Sequence, residues 1–100
     1  MKAHRKQAEA KFLNGVFRRL RFSRSGHVSG VELRIDGATV YVTMQPHDGA
    51  AILSLVELGK RLPVLAVRSE GSGAAGKSGL CYAFKSLATP QGRPRAWPPR

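Results

Sequence analysis

The chain has a single cysteine, Cys81, so it can form no internal disulfide and no cysteine-rich metal site. Long apolar runs are also missing. The stretch Leu62–Val67 is representative, far short of the roughly 18 residues that a membrane-spanning helix needs. The basic opening MKAHRKQAEAKFLNG is followed by no apolar core and no small-residue cleavage site, which argues against a secretory signal. Together these absences predict a protein of the cytoplasm that spans no membrane. Acidic residues are scarce, six against 17 Lys and Arg. That scarcity disfavours paired-carboxylate chemistry: Glu32 and Glu57 fall on different elements. His4, His27 and His47 have no metal-ligand spacing and no cysteine cluster to join. The sequence therefore predicts no metal site, no cofactor and no catalytic residue.

The net charge of +11 is unevenly spread. Residues 1–24 carry eight Lys or Arg against Glu9, residues 25–88 carry six against five acids, and residues 89–100 add Arg93, Arg95 and Arg100. Cations concentrated in this way favour a polyanionic partner, because Lys and Arg that neutralise phosphates release condensed counterions.

The clearest local signal is VSGVELRI-DG-ATVYVTM. Asp36-Gly37 suits a type I′ turn, which needs positive φ at both central positions, and its flanks alternate in polarity. Pairing across the turn sets Leu33 opposite Val40 and Val31 opposite Val42 on an apolar face. Glu32, Arg34, Thr39, Tyr41 and Thr43 take the other face. The preceding segment KFLNGVFRRLRF fits both helical and strand periods. Strand is preferred, because Gly15 weakens a helix interior by about 1 kcal/mol and an isolated hairpin needs further strands. Val16, Leu20 and Phe22 are then expected to point inward, and Phe17, Arg19 and Arg21 outward. Asp48 is expected to cap a short helix that ends near Gly59. Strands follow at Leu62–Arg68 and within LCYAFKSLA, and TPQGRPRAWPPR, with four prolines, reads as an extended tail.

The order is three strands, a helix and two more strands, that of a five-stranded OB-fold-like Greek-key barrel with one short helix between strands 3 and 4. The runs GHVSGVELRIDGATV, PHDGAAILSLV and GKRLPV resemble a group of small, largely uncharacterised bacterial OB-fold-like proteins. Their marks are a D-G-x-x-V hairpin and a P-P-H element before an alanine-rich helix, where this chain has Gln45-Pro46-His47. The resemblance implies the fold. The expected organisation is a basic N-terminal extension over residues 1–10, the barrel domain over 11–88 and a Pro/Arg-rich tail over 89–100.

Gly71, Gly76, Lys77 and Ser78 satisfy G-x-x-x-x-G-K-[ST], the nucleotide phosphate-binding pattern. Such a loop normally works with a larger parallel sheet and a second magnesium-coordinating Asp. No acidic residue follows Ser78, and Asp36 and Asp48 are accounted for by the turn and the helix. The stretch reads as the loop joining strands 4 and 5, and the chain as a non-enzyme. The expected ligand is nucleic acid, single-stranded rather than duplex and bound with little sequence selectivity. Arg18, Arg19, Arg21, Arg24, Arg34 and Lys77 would meet phosphate, and Phe17 and Tyr41 would stack on unpaired bases. The competing expectation is a protein-interaction module or assembly subunit that docks an acidic partner.

Overall fold

The computed structural model describes residues 10–69 and 80–97 of the chain. Among these residues five strands and one helix follow in order: β1 (Lys11–Phe22), β2 (Val28–Ile35), β3 (Ala38–Thr43), α1 (Pro46–Leu53), β4 (Arg61–Arg68) and β5 (Leu80–Leu87). The strands close into a barrel in the order β1-β2-β3-β5-β4, with β3 and β5 parallel and every other pair antiparallel. This is the expected OB-type architecture, with its helix between β3 and β4. Strand β1 joins both halves: Lys11–Val16 pairs with β4, and Val16–Phe22 pairs with β2. Among the described residues no helix is long and apolar enough to cross a membrane.

The β2–β3 hairpin follows its turn. Asp36 and Gly37 have φ of 51° and 82°, and the register sets Leu33 against Val40, Val31 against Val42 and Glu32 against Tyr41. Gly37→Val should therefore destabilise the barrel by about 1–2 kcal/mol, the cost of forcing a branched side chain into left-handed backbone. Thermal unfolding followed by circular dichroism will measure it. An unchanged midpoint would contradict the turn assignment.

Strand β1 departs from the expected phase. Between Phe17 and Arg19 its register with β2 shifts: Phe17 pairs with Leu33 and Arg19 with the adjacent Glu32, which leaves Arg18 as the extra residue of a bulge. Ahead of the bulge Leu13 and Phe17 are buried in the core, and beyond it Leu20 packs against the same core. Phe17 is thus an inward residue, not the outward stacking platform expected from the sequence. Phe22, expected inside, is 61% exposed at the strand's end. Gly15 lies where β1 crosses β2, since a Cβ there would stand 2.9 Å from Leu33 Cβ and 2.7 Å from Ile35 Cγ1.

Helix α1 begins earlier than expected. Gln45 is its N-cap residue and Pro46 opens its first turn, where the missing N–H costs nothing. Asp48 lies inside that first turn and does not cap it. Its Oδ1 accepts a 2.8 Å hydrogen bond from Trp97 Nε1. The helix ends at Leu53, so Gly59 is not its C-terminal residue. Gly59 (φ 82°) serves the turn into β4, where its N–H donates to Phe17 O. The tail folds back as far as Trp97. Arg95 N donates to Leu87 O, and the Trp97 ring meets Phe84 edge-on at 5.0 Å.

Candidate nucleic-acid interface

The outer surface of β1, β2 and β3 gathers four of the eight proposed contact residues, Arg19, Arg21, Arg34 and Tyr41. Past the bulge, alternation carries Arg19 and Arg21 to the side opposite Leu20. On β2 the residues Glu32 and Arg34 share a face two positions apart, and on β3 Tyr41 stands across from Glu32. The row Arg19–Glu32–Tyr41 therefore runs straight across three strands. Arg21 is opposite Gly30, which has no side chain. Its guanidinium leans across that gap to Glu32 and Tyr41.

The polar geometry centres on Glu32. Its side chain is only 11% exposed, and it is the one buried charged residue among those described. Oε2 accepts from Arg21 Nη1 at 3.2 Å, and Oε1 lies 3.4 Å from Arg19 Nε. The Arg21 guanidinium carbon sits 4.9 Å from the centre of the Tyr41 ring, a cation–π contact. Arg19 remains 72% exposed and Arg21 38%. Two cations share one anion, and one of them, Arg21, also stands over the phenol ring. Sequence reasoning assigned Glu32 no part in this site. The signal was the turn register, which puts an acid beside Tyr41 and next to an Arg-rich strand.

Arg34 joins this face, exposed and paired with Val16 on one side and Thr39 on the other. The remaining expected residues separate. Arg18 is exposed at the bulge, and Arg24 is exposed in the β1–β2 connection. That connection is closed by Ser23 N–H to His27 O at 2.8 Å. Phe17 is in the core and cannot take part. Lys77, with the rest of the phosphate-loop pattern, lies outside the described residues.

The concave surfaces are elsewhere. A cleft of about 340 Å³ opens where the first half of β1 parts from the β2–β3 turn, with Leu13, Asn14, Ile35, Val40 and Tyr82 in its walls. A second, of about 400 Å³, lies beside Met44, Asp48 and Phe84. Among the described residues no three His, Cys, Asp or Glu side chains gather as a metal site would require, and Cys81 is buried in β5.

No protein-family model, curated protein or solved structure matches this chain. The fold and its surface define a class: a small closed barrel of OB type with a basic, partly neutralised outer face.

Proposed function

We propose that this chain is a non-catalytic nucleic-acid-binding protein of the cytoplasm that prefers single strands to duplex and reads little sequence. The observation that carries this reading is the placement of Arg19, Arg21 and Arg34 on the same outer face as Tyr41, with Arg21 over its ring, in a chain with net charge +11. Arg18 and Arg24 extend the positive surface along β1 and its turn, and Lys77 adds charge in the segment between β4 and β5. Phosphates are captured electrostatically. Unpaired bases then stack on the Arg21–Tyr41 pair, a guanidinium and an aromatic ring, both of which accept nucleobases readily.

The two contributions separate in one titration of a labelled single-stranded oligonucleotide. Replacing Arg19 and Arg21 together with Ala should weaken binding to every sequence and flatten the salt dependence by up to about 1.4, at about 0.7 for each phosphate no longer neutralised. Tyr41→Ala should cost about 1–3 kcal/mol of binding with little change in slope. Duplex should lose less from Tyr41→Ala, because its bases already stack on one another. If the wild-type protein binds no single strand at low salt, the reading fails and an acidic protein becomes the leading partner.

A further inference from the structure

Resting on that reading, we propose that Glu32 is the residue that sets the preference for single strands, by cancelling one of the two positive charges that Arg19 and Arg21 offer to phosphate while presenting Arg21 to bases. Among the described residues it is the only acid on a face that otherwise offers arginines and a tyrosine, and it is the one buried charge. Burying a carboxylate costs several kcal/mol before its partners repay it. A tie between β1 and β2 needs no such group, since β-branched or aromatic pairs hold adjacent strands without that penalty.

The geometry shows what the carboxylate does. Each oxygen engages a different arginine, at 3.4 Å for Arg19 and 3.2 Å for Arg21. A phosphate that takes both guanidiniums must leave Glu32 buried and unpaired, or lie against a carboxylate of its own sign. Either outcome penalises binding through phosphates alone. Duplex depends on phosphates at this convex barrel face, because its bases are stacked and paired within the helix. A single strand can add a term that Glu32 assists. With Nη1 of Arg21 held by the carboxylate, its guanidinium stays over the Tyr41 ring, and a base meets a surface already ordered. Glu32 acts through Arg21 and is a positioning residue.

The test is Glu32→Gln, matched in shape and still able to accept a hydrogen bond from Arg21, together with Glu32→Thr, which suits a strand. Affinities for one oligonucleotide, single-stranded and annealed to its complement, are measured by fluorescence anisotropy over a range of salt. Duplex affinity at low salt should rise on the order of tenfold, with a slope steeper by up to about 0.9 for one more phosphate neutralised. Single-strand affinity should change less, so the ratio of the two falls. If Glu32 is only a structural tie, the unfolding midpoint drops while the ratio and both slopes stay as in the wild type, and the proposal is overturned. Should Glu32→Thr fail to fold, Glu32→Gln decides alone. A wild-type protein that binds no single strand defeats the functional reading itself, an outcome distinct from unchanged discrimination in the variants.

Discussion

Phe17→Ala should cost about 3–5 kcal/mol of stability, the range for deleting a buried aromatic side chain. The whole folding free energy of a small domain is about 5–15 kcal/mol, so this single change removes a large share of it. Phe17 is 6% exposed and belongs to the core cluster with Leu13, Leu33 and Leu62. Leu33 is its direct partner on β2, and its backbone anchors the turn into β4 through hydrogen bonds with Gly59 and Lys60 of 3.0 and 2.8 Å. Those bonds survive the substitution, so the loss measures the ring itself. With about 4–8 °C per kcal/mol for a domain of this size, the midpoint should fall by more than about 10 °C. Phe22→Ala is the control: that ring is 61% exposed, and its loss should be nearly silent in a melt. The opposite pattern, a stable Phe17→Ala that binds nucleic acid less well, would return Phe17 to the outer face and displace the bulge.

The second large effect is expected at Gly49, where the sign alone is informative. Helix propensity favours Ala over Gly by about 1 kcal/mol, so Gly49→Ala in an unconstrained helix would stabilise. Here a Cβ at position 49 would stand 2.4 Å from Val28 O and 2.8 Å from Val28 Cβ. A carbonyl fixed in β2 cannot turn aside as a flexible side chain can. The helix must lift instead, which uncovers Ile52 and strains the Trp97–Asp48 hydrogen bond. Both Gly49→Ala and Gly49→Val should destabilise, the valine by about 3 kcal/mol, the upper end of the usual overpacking range. Denaturant midpoints of the two variants give the order. A stabilised Gly49→Ala would show that α1 does not approach β2 this closely.

How far the sequence could be read depended on how local the determining physics was. The β2–β3 hairpin was legible to the residue, because Asp36-Gly37 and strict alternation leave only one register with a continuous apolar face. The outward placement of Arg19, Arg21 and Tyr41 was legible for the same reason, since all lie on regular strand. The phase of β1 before Arg18 was not. A bulge inserts one residue, so the core positions Leu13, Phe17 and Leu20 are spaced by four and then three. That is the spacing of a helix, and the same spacing made the segment ambiguous. Asp48 looked like a cap on local chemistry, but its carboxylate was claimed by Trp97, 49 positions away in the chain, a partner that no window of sequence reveals. The tail misled by composition: proline argues for extension, yet one tryptophan against Phe84 ties it down. Glu32 was visible as an outward residue. Its burial comes from two long side chains of β1, Arg19 and Arg21, that fold onto it, which the hairpin pattern alone does not reveal.

The parallel seam between β3 and β5 has a kinetic consequence. Strands β1, β2 and β3 are consecutive hairpins and can zip on the microsecond scale. The seam joins Val40 to Leu80 and Thr43 to Ala83, and it must wait until the chain has made α1 and crossed through β4. Loop-closure entropy grows only logarithmically with length, so the delay falls on the rate of folding more than on its equilibrium. Non-local β pairing of this kind puts completion in the millisecond-to-second range. During that interval the edge of β3 is an unpaired row of N–H and C=O groups beside apolar Val40 and Val42, a template for other chains. Any self-association should therefore arise from the unfinished meander, and the arrival of β5 closes that route.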